Sequence, residues 1–190
     1  MRKKGSVLFI FFAIVAGLAA CQKWQDPKGY TDPRLTNPYC NDPYAVNYNW
    51  GFPGKPDNTI CFYPTDGYRG IYTFIDSVRL ADNSFSYRDS VTLMMFALSK
   101  TKLGVIGLCT NGDTLRLSVD RSMTATVDTT LRVDTTKVGG QLLCGVYTDT
   151  ISGRITKDLT DTTNKTFFIN FKVLKDSTAH FLTGTAHKVN

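Results

Sequence analysis

Glutamate is absent: the chain is 190 residues long and every one of its 16 acidic side chains is aspartate. Glutamate favours helix interiors, whereas aspartate bonds to nearby backbone and favours caps and turns. No stretch sustains apolar residues at i, i+3, i+4 and i+7, so a helical bundle is excluded. Histidine is almost absent too, with only His180 and His187. Their odd separation puts them on opposite faces of a regular strand, which excludes a shared site unless a bulge intervenes. No G-x-S-x-G elbow, H-E-x-x-H pair or phosphate-binding glycine loop occurs. A two-carboxylate glycosidase would have to use two aspartates, whose convergence spacing does not reveal. The expectation is a non-enzyme without cofactor; a hydrolase with no recognisable motif is the remaining catalytic alternative. Basic runs are missing as well, and lysines and arginines are dispersed without interleaved aromatics, which argues against nucleic-acid binding.

What is present begins with an export signal. Arg2, Lys3 and Lys4 precede an uncharged apolar stretch from Val7 to Val15. Small residues follow, ending Leu18-Ala19-Ala20-Cys21. The apolar part is too short for a spanning helix and has the layout of a secretory signal. Its end resembles the bacterial lipobox. That resemblance implies cleavage before Cys21, a diacylglycerol on its thiol and acylation (a palmitate-type chain) of the freed amine. Each buried methylene contributes roughly 0.8 kcal/mol, so two or three chains hold stably where one would not. Gln22 stands where an inner-membrane retention signal would place aspartate, so the implied address is the outer membrane. Residues 22–26 loosely resemble the surface-export tags of Bacteroidota lipoproteins. Removing the signal lowers the formal charge from +6 to +3.

With Cys21 reserved for lipid, Cys40, Cys61, Cys109 and Cys144 remain, an even number in a disulfide-permissive compartment. Three pairings are possible. Cys40–Cys61 with Cys109–Cys144 keeps each bridge inside its own segment and is preferred. The Cys109/Cys144 spacing is not that of a C-x-x-C redox centre.

Residues 21–38 are polar and punctuated by Pro27, Pro33 and Pro38, which reads as a lipidated tether. Residues 39–65 form a second segment. Cys40, Asp42, Pro43, Ala45, Asn47, Tyr48, Asn49, Asp57, Cys61 and Tyr63 resemble a cysteine-bracketed repeat of exported Bacteroidota proteins, C-x-D-P-x-A-x-N-Y-N, a spacer, then D-D/N-x-x-C-x-Y. Gly51 to Pro56 departs from the usual spacer, and Ile60 stands where a small residue is common. Such a segment cannot bury a core and must be held by its bridge. Its oxygens (Asp42, Asn47, Asn49, Asp57, Asn58) could in principle surround calcium, but the regularly spaced loop calcium favours is missing, and no metal is assigned. Trp50 and Phe52, in a Gly/Pro-rich loop, are the candidate surface contacts.

From residue 66 to 190 apolar and polar residues alternate. Leu115, Leu117 and Val119 oppose Arg116 and Ser118; Met123, Ala125 and Val127 oppose Thr124 and Thr126. Leu131 and Val133 oppose Arg132 and Asp134; Phe167, Ile169, Phe171 and Val173 oppose Phe168, Asn170 and Lys172. Period two is the signature of half-buried strands. Further strands are expected at Gly70–Val78, Ser84–Leu98, Leu103–Cys109, Gln141–Thr148, Ile151–Thr156 and Thr178–Val189. Val91 to Leu98 is apolar on both faces, so part of it should pass through a core or under another element. Turns are read at Asn111–Asp113, Gly139–Gly140 and Asp149–Thr150. Eight to ten short strands suit an all-β, small antiparallel up-and-down barrel, with a β-sandwich as alternative. Tyr68 to Ser77, and the closing Phe181 to Ala186, resemble the first and last strands of lipocalin-like Bacteroidota lipoprotein domains. That resemblance implies a lipocalin-like barrel.

The sequence thus implies a lipid-anchored, non-enzymatic lipoprotein of the outer membrane or cell surface. Its barrel would bind a small apolar ligand or serve with an envelope protein. The alternative is a tethered adhesion module contacting glycan through the bracketed segment.

Overall fold

The computed structural model describes residues 31–129, 140–146, 148–163, 165–175 and 178–189. The signal, Cys21 and the alternating stretch 131–134 lie outside them. The described part of the tether forms a 3₁₀ turn, Pro33–Thr36, capped by the Asp32 carboxylate, which accepts from Arg34 N. The bracketed segment then pairs β1 (Pro38–Tyr39) with β2 (Lys55–Pro56) in parallel. Two more 3₁₀ turns follow, Asn58–Ile60 and Pro64–Tyr68. The tether expected to reach residue 38 therefore acquires structure before that point, because the Asn37 and Tyr39 carbonyls accept from Lys55 N and Asp57 N, each at 2.8 Å.

Nine further strands complete the chain: β3 (Gly70–Leu80), β4 (Phe85–Ala97), β5 (Lys102–Ile106), β6 (Leu115–Val119), β7 (Thr124–Val127), β8 (Gln141–Leu142), β9 (Thr150–Lys157), β10 (Thr166–Lys175) and β11 (Thr178–Lys188). They pair antiparallel in the order β10-β11-β3-β4-β5-β6-β7-β9, and β9 pairs back to β10, which closes an eight-stranded barrel. The sandwich alternative is thereby excluded. One edge of β9 serves two short strands in succession: β7 along Arg154–Thr156 and β8 along Thr150–Ile151. Where β7 ends, the Gln141 side chain takes over its pairing. Its Oε1 accepts from Arg116 N at 3.0 Å and its Nε2 donates to Arg116 O at 3.4 Å.

Alternation puts the apolar set inside. Tyr72, Phe74, Leu93, Met95, Leu103, Leu117, Ile155, Phe167, Ile169 and Phe171 are all buried, while Thr, Ser, Arg and Lys dominate the outward rows. That is the reverse of a lipid-facing barrel, whose outer band is apolar. Burying such aromatic and aliphatic side chains supplies roughly 1.5–3 kcal/mol each, the main stabilising term.

Two strand expectations need correction. β5 stops at Ile106, short of Cys109, because Gly107 (φ 118°) turns the chain away. A Cβ there would lie 2.1 Å from Thr92 O. β8 spans only Gln141–Leu142, because Leu143 to Asp149 closes into turns: Leu143 N donates to Asp149 O, and Val146 N to Leu143 O. The turn read at Asp149–Thr150 thus sits one step earlier, and Thr150 already begins β9. Val91 to Leu98 passes along the core on one face, with Val91 packed against it. Leu93 and Met95 face the core, Met94 and Leu98 face solvent, and only Phe96 finds cover, its ring lying over Gly104.

Strand direction distinguishes two ends. The 98–101 and 120–123 turns share one end with the Pro64–Tyr68 turn, which closes it. The 81–84 and 107–114 connections share the other end, the mouth. β3 and β4 pair up to Arg79↔Phe85, whereas β5 meets β4 only along Met94–Ala97, so one wall of the mouth stands higher.

Candidate functional site

The closed end is plugged by Tyr68. The turn carrying it starts at Pro64, whose fixed φ suits a first helical position, and Tyr63 N donates to Asp66 Oδ2 at 2.8 Å. The Tyr68 ring is fully buried and stacks on Phe167 with centroids 4.6 Å apart; Tyr72 meets the same ring edge-on at 5.6 Å. The Tyr68 hydroxyl donates to Met123 O, with Ile155 O at 3.4 Å. Burial pushes its pKa far above the ordinary phenol value, so it remains a neutral donor. The Tyr72 hydroxyl, pushed up to about 12 by burial, is the one buried side-chain polar atom without a hydrogen-bond partner among the described residues. With three rings in contact inside it, this half of the barrel is packed.

The mouth half is less apolar. Asp76, on the inward face of β3, is 3% exposed and stands directly across from Asp89. Its Oδ1 accepts from Asp89 N at 3.2 Å. Burial, and then the Asp89 charge, raise the Asp76 pKa. His180 has the same inward parity on β11, while His187 faces outward and its Nδ1 lies 3.2 Å from Thr166 Oγ1. The two histidines do fall on opposite faces. The sequence reading missed Asp76; its signal was an aspartate in register with Tyr72, Phe74 and Val78 on an apolar face.

Both preferred disulfides are present. Cys109–Cys144 spans Cα atoms 5.4 Å apart and ties the β5–β6 connection to the β8–β9 turn at the mouth. Leu108 and Leu143 beside it pack against the core. Cys40–Cys61 spans 5.1 Å and closes the bracketed segment.

The segment is seated on the closed end. Lys100, in the β4–β5 turn, bonds the Asp42 carboxylate, which also accepts from Tyr63 Oη at 2.9 Å and Tyr44 N at 3.0 Å. The Lys100 ammonium lies 4.9 Å from the Tyr63 ring centroid. Its bond, chiefly, lowers the Asp42 pKa to about 2. Thr65 Oγ1 donates toward Ser99 O and Lys100 O, and the Arg121 guanidinium sits 5.3 Å from the Tyr48 ring. Four of the five side chains whose oxygens could surround calcium, those of Asp42, Asn47, Asp57 and Asn58, are engaged within the chain. Asp57 caps Thr59, Asn47 bonds Ile60 O and Phe62 N, and the Asn58 side chain accepts from Asn41 N. Trp50 and Phe52 are 69% and 68% exposed, as a surface-contact role requires.

On the outer wall an open groove of about 420 Å³ is lined by Leu98, Ser99, Lys102, Arg116 and Asp128. Its charges largely satisfy one another, since Lys102 Nζ bonds Asp128 at 2.8 Å and Ser118 at 2.7 Å.

No family model matches the chain, and no curated protein does. Among solved structures, a redesigned β-barrel, b11L5F_LGL, is similar at 15% identity and a TM-score of 0.40, over 67% of this chain and 96% of its own. EF1p2_mFAP2b bound to DFHBI is similar at 14% identity and a TM-score of 0.38, over 65% of this chain and 95% of its own. The barrel assignment here rests on the strand pairing itself.

Proposed function

We propose that this chain is a lipid-anchored, non-enzymatic lipoprotein of the outer membrane, exposed at the cell surface, whose barrel serves recognition or assembly in the envelope. The observation carrying this is the cysteine arithmetic. Cys40 pairs with Cys61 and Cys109 with Cys144, so both bridges form without Cys21, which ends a lipobox-like signal. Two disulfides also suit an oxidising compartment outside the cytoplasm. Packed rings at the closed end support a ligand role only at the mouth, where Asp76 and His180 add polarity. A filled lower barrel equally suits a protein-assembly role.

The test is mass spectrometry of the mature protein with detergent phase separation. A mature N-terminus at Cys21 carrying two or three acyl chains is expected, and Cys21→Ser should accumulate as uncleaved precursor with its barrel folded. An unmodified, freely soluble chain starting elsewhere would defeat the proposal. For the mouth, native mass spectrometry of protein from cell envelopes should reveal a retained small apolar ligand or a copurifying protein.

A further inference from the structure

We infer that the loop carrying Trp50 and Phe52 is a membrane-interface contact, which seats the closed end of the barrel on the bilayer and turns the mouth away from it. The inference rests on the anchor reading and adds an orientation to it. Its first support is reach. Nine residues lie between Cys21 and Thr31, and an extended chain covers at most about 3.6 Å per residue step, so the acylated residue stays within roughly 35 Å of the described fold.

The second support is where that chain arrives. Asn37 and Pro38 directly underlie the loop: a Cβ on Gly51 would lie 2.9 Å from Pro38 O, and one on Gly54 2.2 Å from Asn37 O. The Phe52 ring stands 5.6 Å from Tyr39, edge to face. The tether's entry and the aromatic loop therefore form one surface. The Cys40–Cys61 bridge and the pairing of β1 with β2 hold that surface in shape, so little conformational entropy would be lost on contact.

The third support is chemistry. Trp50, Phe52 and Tyr44 are exposed at 69%, 68% and 60%, and Leu35 in the tether's turn at 51%. Tryptophan and tyrosine, with an apolar body and a polar edge, are the side chains that settle at the headgroup level of a bilayer. Lys55, just after the loop, adds an exposed cation for lipid phosphate. The short tether, which enters at this surface, keeps it within reach of the membrane. The segment in turn is fixed to the barrel's closed end by Lys100, Thr65 and Arg121, so its orientation becomes the barrel's. Lipid supplies retention, and the aromatic loop supplies direction.

The experiment uses chain 22–190, which lacks the lipidated cysteine but contains every described element, in a Trp24→Phe background so that fluorescence reports Trp50 alone. Added to vesicles of phosphatidylethanolamine and phosphatidylglycerol, it should show a blue-shifted emission, quenched by brominated acyl chains. Trp50→Ala, followed by cosedimentation, should weaken vesicle binding about tenfold, as expected for one large apolar side chain leaving the interface, and Phe52→Ala should act similarly. Both positions are exposed, and circular dichroism would verify the fold. Phe85→Ala with Tyr87→Ala, on the mouth side, should leave binding unchanged. Unshifted Trp50 emission on vesicles, or equal losses from the mouth-side pair, would overturn the inference. Emission that responds to a soluble oligosaccharide but not to vesicles would overturn it in favour of glycan contact. If acylation of Cys21 is found while Trp50 ignores vesicles, the anchor stands and the orientation falls; the reverse result separates them equally well.

Discussion

Replacing the two buried tyrosines separately should give opposite results, although they touch the same ring. In Tyr68→Phe the stack on Phe167 survives but Met123 O loses its donor and Ile155 O a weaker one. Leaving a buried acceptor unpaired costs about 1–2 kcal/mol. In Tyr72→Phe the lost hydroxyl had no partner, so stability should hold or rise by up to about 1 kcal/mol. Tyr68→Ala removes the whole plug. A large-aromatic cavity costs about 3–5 kcal/mol, and the lost hydrogen bonding brings the total near 5. At about 2–4 °C per kcal/mol for a chain of this size, the melting midpoint should fall by roughly 10–20 °C. The assay is urea unfolding of the disulfide-intact 22–190 chain, followed by far-UV circular dichroism and read by linear extrapolation with an unchanged slope. Equal losses from Tyr68→Phe and Tyr72→Phe would show that the hydroxyl contacts are not what distinguishes them. A loss below about 1.5 kcal/mol for Tyr68→Ala would refute the plug.

The remaining predictions concern charge and cross-links. The Asp42 pKa is lowered in the fold, so its bonding to Lys100 stabilises above the ordinary carboxylate range, near pH 4, and is lost as pH falls through about 2. Carboxyl-carbon NMR should therefore find Asp42 titrating near 2 in the wild type and higher in Lys100→Met, where the bonds from Tyr44 N and Tyr63 Oη remain; the same value in both would remove Lys100 as the chief cause. The Asp76 pKa is raised, so the destabilisation appears as pH rises through that value, and Asp76→Asn should unfold later than wild type at pH 7 but not at pH 3. No gain at pH 7 would mean that the buried carboxylate is solvated after all. By the loop-entropy relation, removing Cys109–Cys144 (separation 35) should cost about 4 kcal/mol and removing Cys40–Cys61 (separation 21) about 3. Hydrogen exchange should place the first loss at β8 and the mouth, and the second in residues 38–62; identical exchange maps would contradict the separate seating of the two.

Much of the barrel was legible because alternation is a local property. Leu115–Val119 and Phe167–Val173 each show an apolar face in the sequence, and each of those faces is buried. The disulfide partners were legible from their order along the chain. Strand ends were not. β8 was expected to reach Thr148, but Leu143 finds a backbone partner in Asp149 rather than in a neighbouring strand, and its composition does not record that choice. Trp50 and Phe52 were readable as exposed from their Gly/Pro setting, whereas Asp76 was passed over because a single aspartate within a strand has no pattern of its own.

The sequence by itself determined the strand content, the inward set led by Tyr72, Phe74, Phe167 and Phe171, and the even cysteine set. These follow from side-chain polarity at period two and from counting, which need only near neighbours. Only the tertiary structure decided that the sheet closes, through pairing of β9 with β10, and that Tyr68 plugs one end. It alone placed the bracketed segment on the turns bearing Lys100 and Arg121, and set Asp76 opposite Asp89. Each of these joins residues that strand register, not sequence distance, brings together. Closing a long loop costs entropy that no local pattern can signal, and only the combined burial, hydrogen bonds and bridges of the whole barrel offset it.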